Sequence, residues 1–93
     1  MKKNIIIFYD IPNDRRRTKL AKKLQDYLDR IQFSVFAGKI TLEQQEEIAE
    51  IIAKVINDEE DSVIMLEVCA KCMGKLKEQG TAKMYTEEGP III

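Results

Sequence analysis

The stretch Lys3-Asn4-Ile5-Ile6-Ile7-Phe8-Tyr9 runs β-branched and aromatic residues together and then meets the turn formers Asp10-Ile11-Pro12-Asn13-Asp14. A short unbroken apolar run bounded in this way reads as a buried strand over residues 3–9. From Asp14 the pattern changes. Leu20, Leu24, Tyr27 and Leu28 recur at i, i+4, i+7 and i+8 with lysines and arginines between them, which predicts an amphipathic helix over 14–28, capped by Asn13 or Asp14.

Working outward, Arg30 to Ile40 returns to strand period. Ile31, Phe33 and Val35 alternate with Gln32, Ser34 and Phe36, and Gly38 marks a bend, a bulge or a hairpin turn. Thr41-x-x-Gln44 is a capping box, and Ile48, Ile51, Ile52, Val55 and Ile56 form the apolar stripe of a second helix reaching Asn57. A polar loop over 57–61 leads to a strand over 62–68. A third helix is expected over 69–79, closed by Gly80 in the left-handed conformation. A short strand over 81–86, a turn at 87–90 and Ile91-Ile92-Ile93 complete the chain.

This order predicts an α+β fold: a ferredoxin-like βαββαβ sandwich with an antiparallel sheet, both long helices covering one face. Residues 1–80 form the core. Residues 81–93 are expected to add a strand to the sheet edge of a second copy, because three branched apolar residues are costly to leave in water, so the chain is predicted to be a homodimer with C-terminal strand exchange.

Composition limits the chemistry. The 93 residues include no histidine, which removes Ser-His and Cys-His nucleophile pairs, imidazole acid/base catalysis and imidazole metal sites. Carboxylates or metal-activated water must carry any hydrolysis. No apolar run approaches the ~20 residues of a membrane span, so no membrane partner is expected. The first residues lack the pattern of a signal peptide, and with Cys69-x-x-Cys72 this points to a reducing, cytoplasmic setting. The cysteine pair is half of a zinc knuckle with no second half in the chain. It reads more simply as small packing residues at the start of a helix.

Net charge is −1, from 15 basic and 16 acidic residues, but the charges are segregated. Arg15, Arg16, Arg17, Lys19, Lys22, Lys23 and Arg30 give the first helix a basic face suited to phosphate backbones, with two solvated amphipathic helices as the plainer reading. The second helix and its loop carry Glu43, Glu46, Glu47, Glu50, Asp58, Glu59, Glu60 and Asp61. Asp10, where the first strand meets its loop, is the candidate metal ligand; the plainer reading is a turn aspartate bonding its own backbone. Mg²⁺ keeps several waters and needs one or two carboxylates plus phosphate oxygens, so Asp10 from each chain of a two-fold dimer would suffice. Phe33 and Phe36 could stack on bases or serve as core or dimer contacts.

Tyr9-Asp10-Ile11, Asp14-x-x-Arg17, Arg30-Ile31-Gln32-Phe33-Ser34-Val35-Phe36-x-Gly38, Asp61-Ser62-Val63 and Cys69-x-x-Cys72, in this order, resemble the small CRISPR-associated endoribonuclease family of the spacer-acquisition machinery, the dimeric partner of the CRISPR integrase. The resemblance spans nearly the whole chain. It implies a ferredoxin-like homodimer with exchanged C-terminal strands that bridges integrase dimers and binds double-stranded DNA, with endonuclease activity on single-stranded RNA or double-stranded DNA. It implies Asp10 as the ligand of Mg²⁺ or Mn²⁺, Arg17 and Arg30 as phosphate-contacting or activity-supporting residues, and Ser34 and Phe36 near the site. Lys19 stands where some members carry arginine, Ala37 where many carry glutamate, and Tyr27-Leu28 where Tyr-Gly is common.

Overall fold

The computed structural model describes residues 1–80 together with the backbone of Tyr85–Thr86 and Gly89–Pro90. Strand β1 (Lys2–Asp10) is followed by helix α1 (Asp14–Leu24), strands β2 (Asp29–Gln32) and β3 (Val35–Thr41), helix α2 (Leu42–Val55), strand β4 (Ser62–Val68) and a single-turn helix α3 (Ala70–Met73). The sheet order is β2-β3-β1-β4, antiparallel throughout, which is the ferredoxin-like topology expected of this element order.

Strand β1 is the centre of the sheet because it can be buried on both sides. Ile5, Ile7 and Tyr9 face the helices and join Leu20, Leu24, Leu28, Phe36, Ile40, Ile48 and Val55 in the main core. Ile6, on the opposite face, packs with Ala37 and Met73, so α3 covers part of the sheet's second side. The rest of that side stays open: Phe8, Ile64 and Leu66 are 38%, 58% and 47% exposed. Phe8 lies opposite Ile64 and Ile6 opposite Leu66 across the β1–β4 ladder, so these side chains share one face.

Both long helices start on side-chain caps. Asn13 Oδ1 accepts from the Arg16 backbone N–H at 2.9 Å, settling the choice between Asn13 and Asp14. At α2 the capping box is reciprocal: Gln44 N–H donates to Thr41 Oγ1 at 3.2 Å and Thr41 N–H donates to Gln44 Oε1 at 2.9 Å.

Several element boundaries differ from the sequence reading. Helix α1 ends at Leu24, because Tyr27 and Leu28 both donate to the Leu24 carbonyl, at 3.0 and 2.8 Å, and wind the chain into a tight turn that still buries Leu28. Of the three readings of Gly38 the hairpin turn is excluded, since that turn is at Phe33–Ser34, with Gln32 opposite Val35. Gly38 lies within β3 opposite Ile5, and a Cβ there would come 3.1 Å from Leu28 Cδ2, so glycine admits the close pass of the α1–β2 turn. Helix α3 stops after four residues at Gly74; Gly80 does take a positive φ of 69°, but away from any helix end. Tyr85–Thr86 and Gly89–Pro90 pair as β5 and β6, so Gly89–Pro90 is strand and not turn. The exchange of the segment 81–93 with a second copy falls on residues that, apart from β5 and β6, lie outside the described ones.

Candidate nucleic-acid and metal site

The site is built at the end of the sheet where β1 runs out. Residues along a strand alternate faces, so with Tyr9 committed to the core, Asp10 leaves the sheet on the open face, opposite Ser62 and in line with Phe8. Its carboxylate is exposed and makes no hydrogen bond or ion pair among the described residues. The turn-aspartate reading therefore has no bond to support it. Asp10 does not form a resident metal centre by itself: no group of three or more metal-ligating side chains exists among the described residues. An exposed, unpartnered carboxylate on a rigid strand does suit Mg²⁺ held by few protein ligands and completed by water, phosphate and a second copy.

On the helix side of the same end lies a cluster organised around the β2–β3 turn. Neither turn residue has a positive φ, so the two-residue connection is neither of the favoured mirror-image hairpin turns, and a register shift between Arg30 and Gln32 takes up the mismatch. The Phe33 carbonyl is freed from the ladder. It accepts from Tyr9 O–H at 3.3 Å and from Arg30 Nε and Nη2 at 3.2 and 2.7 Å. The Ser34 carbonyl accepts from Tyr9 N–H at 3.1 Å, so the residue before Asp10 is bonded to both turn carbonyls.

Arg17 serves the neighbouring loop. Its Nη1 donates to the Ile11 carbonyl at 2.9 Å and the Pro12 carbonyl at 3.4 Å, and its Nη2 pairs with Asp14. Its guanidinium carbon lies 5.6 Å from the Phe33 ring centroid, and that of Arg30 lies 5.4 Å from Phe33 and 5.6 Å from Phe36. These distances fall within cation–π range. Arg17 and Arg30 thus hold the two loops that end on either side of Tyr9-Asp10, and no described interaction joins either guanidinium to Asp10 itself.

Two residues proposed from sequence are placed elsewhere. Phe36 is wholly buried against Tyr9, ring centroids 6.2 Å apart, and can touch no substrate without unpacking the core. Arg16 is committed to two carboxylates: Nε and Nη2 donate to Asp61 at 2.8 and 3.1 Å, and Nη2 to Glu60 at 2.9 Å. Asp61 also accepts from the Asn57 backbone N–H at 2.9 Å. These bonds, Arg16's first, hold the Asp61 carboxyl below its usual range against the opposing effect of burial, and the guanidinium of Arg16 is held above its own. Sequence could not show that Arg16 finds its counter-charge 45 residues away.

Arg15, Lys19 and Lys22 remain together on the outer side of α1, lining a shallow depression with Asp14 and Thr18, and Lys23 follows in the last turn, exposed. The two cysteines are exposed and so are not packing residues. Cys69 precedes α3; hydrogen bonds from the Cys72 backbone N–H and thiol pull its thiol below the usual value, and the same contact raises that of Cys72.

The family described as CRISPR associated protein Cas2 matches residues 3–76. The chain belongs to the Cas2 family. It is 31% identical over 88 residues to the CRISPR-associated endoribonuclease Cas2 3 of Synechocystis, covering 95% of this chain and 96% of that one. Its fold matches that of the hypothetical protein TT1823 from Thermus thermophilus with a TM-score of 0.79 at 28% identity, over 88% of this chain and 95% of the other. A chain of a partial Cas6-RT-Cas1–Cas2 complex has the same fold, with a TM-score of 0.72 at 24% identity, over 99% of this chain and 97% of that chain. No helix among the described residues is long and apolar enough to cross a membrane.

Proposed function

We propose that this protein is a homodimeric scaffold of CRISPR spacer acquisition that binds duplex DNA and bridges integrase dimers, and that Asp10 gives it a Mg²⁺- or Mn²⁺-dependent endonuclease activity on RNA or DNA. The observation that carries this reading is the place of Asp10: an unpartnered carboxylate at the end of the open apolar row Phe8, Ile64 and Leu66. Burying that row against a second copy about a two-fold axis brings the two Asp10 residues toward one another, since each sits on the face that is covered. The endoribonuclease name carried by the Synechocystis relative, and the Cas1-containing complex in which a chain of this fold occurs, support the activity and the partner.

The residues of this chain divide the work. Asp10 is the ligand that would hold the cation, which when bound polarises a phosphoryl oxygen and makes water nucleophilic at neutral pH. Tyr9, bonded to the carbonyls of Phe33 and Ser34, fixes the strand end from which Asp10 projects. Arg17 and Arg30 keep the flanking loops in place by holding the carbonyls of Ile11, Pro12 and Phe33. Arg15, Lys19, Lys22 and Lys23 carry the phosphate backbone, which they hold without reading sequence.

A purely architectural role is the second reading, favoured by the commitment of Arg17 and Arg30 to backbone carbonyls instead of to the neighbourhood of Asp10. Asp10→Asn separates the two. It should abolish metal-dependent cleavage while leaving assembly with the integrase on duplex DNA intact. If spacer acquisition then continues, the scaffold is the biological role; if acquisition fails despite intact assembly, the chemistry is required. Unchanged cleavage by Asp10→Asn would refute Asp10 as the metal ligand.

A further inference from the structure

The β2–β3 turn puts one large apolar ring into water on a backbone held by hydrogen bonds. Phe33 is 69% exposed, the most of any aromatic side chain among the described residues. Its backbone is held by three donors, from Tyr9 and Arg30, on a single carbonyl, so the ring stands on a rigid base at the strand end that carries Asp10. The guanidiniums of Arg17 and Arg30, 5.6 and 5.4 Å from its centroid, are near enough to polarise it, yet the exposure shows that they leave most of the ring uncovered.

A flat, exposed ring on a hydrogen-bonded backbone, beside the Arg30 guanidinium, suits one class of ligand. A nucleobase stacks on such a ring through its own π-face whatever its identity, and the phosphates beside it meet the charge of Arg30, which has no carboxylate partner among the described residues. A base inside a duplex has both faces covered by its neighbours, so only an unstacked base can use the ring.

We infer that Phe33 is a stacking platform for an unpaired nucleobase at this end of the sheet. This inference rests on the nucleic-acid reading above and narrows it. The duplex backbone is bound along Arg15, Lys19 and Lys22 of α1, and Phe33 holds an unpaired strand on the helix side of the sheet end where β1 runs out. Stacking does not sense the 2′-hydroxyl, so the ring accepts ribose and deoxyribose strands alike.

The test uses the full chain with Phe33→Leu, which keeps an apolar side chain and removes the ring, and Phe33→Tyr, which keeps the ring. Binding is measured in EDTA, so that cleavage does not intervene. The probes are a 12-nucleotide single strand carrying 2-aminopurine at every third position, the same strand made abasic at those positions, and a fully paired duplex. The expected result is that Phe33→Leu weakens single-strand binding roughly 5- to 150-fold. It should also lose the 2-aminopurine quenching and the preference over the abasic strand, while duplex binding changes less than about twofold and Phe33→Tyr behaves as the wild type. Equal single-strand affinity and quenching in wild type and Phe33→Leu would overturn the platform and leave the nucleic-acid reading standing. Failure of the wild type to bind any of the three probes would overturn both. A smaller species in size-exclusion chromatography for Phe33→Leu would overturn the platform in favour of a contact between copies of the chain.

Discussion

Arg16 and Asp61, 45 residues apart, meet through two hydrogen bonds of 2.8 and 3.1 Å, and the Asp61 side chain is fully enclosed. The pair ties the first turn of α1 to the loop that feeds β4. Because Asp61 titrates below its ordinary value of 3.8 in the folded chain, the unfolded chain binds that proton first as the pH falls. Its contribution to stability is therefore complete well above pH 3.8 and is lost as the pH drops through the lowered folded value. Asp61→Asn should unfold at lower urea concentration at pH 7, and its deficit against the wild type should shrink at pH 3 and below. A deficit independent of pH would refute the ionic account. Glu60→Gln should change little, since the Glu60 side chain is 60% exposed and such pairs are weak.

The same pair divides the basic residues of α1 into two kinds. Arg15, Lys19 and Lys22 have no ion-pair partner among the described residues, whereas Arg16 is taken. On duplex DNA, every phosphate that a side chain ceases to neutralise should reduce the slope of log affinity against log salt by about 0.9. Arg15→Glu with Lys19→Glu should therefore flatten the slope by about 2. Arg16→Gln should lower the unfolding midpoint and leave the slope unchanged. Titrations of a 30-base-pair duplex from 50 to 250 mM salt read both, and a slope that falls equally in both variants would show that Arg16 is released to bind DNA.

Phe36 belongs to the core, where it packs against Tyr9 and backs Arg30. Phe36→Ala removes a ring with no surface of its own and should cost about 3–5 kcal/mol, a large part of what holds a domain of this size together. Phe36→Met keeps most of the apolar volume and should cost less than Phe36→Ala. Urea unfolding of the two variants checks the ranking. Equal losses would mean that the site collapses around alanine and is less tightly packed than its zero exposure shows.

The fold was legible because its signals are local. The run Ile5-Ile6-Ile7 admits nothing but a strand buried on both faces, and the Thr41–Gln44 box states where α2 begins. The hairpin could not be located from sequence for a physical reason: Phe33-Ser34 carries no glycine or asparagine, because the turn avoids positive φ and relies on a bulge instead, while the glycine at 38 answers to Leu28 across the core. The position of Asp10 at a strand end was readable because it closes the apolar run of β1. The partners of Arg16, Arg17 and Arg30 were not. Two of these arginines bond to backbone carbonyls, which every residue has, and the third finds its carboxylates in a distant loop.

The open face of the sheet yields the last prediction. Phe8, Ile64 and Leu66 form an exposed apolar row on β1 and β4, beside the cluster that α3 covers around Ile6 and Ala37. Leaving three such side chains in water forgoes about 25 cal/mol for each Å² that a partner would cover. Replacing Ile64 and Leu66 with lysine places charges on that face without touching the helix-side core, so the folded monomer should persist with unchanged helical circular dichroism. The dimer should not, and metal-dependent cleavage should fall with it, because one Asp10 no longer meets a second. Sedimentation velocity and a cleavage assay on the same sample decide the matter. A variant that stays dimeric and active would move the dimer contact away from this face, and a variant that is monomeric yet fully active would show that a single Asp10 suffices.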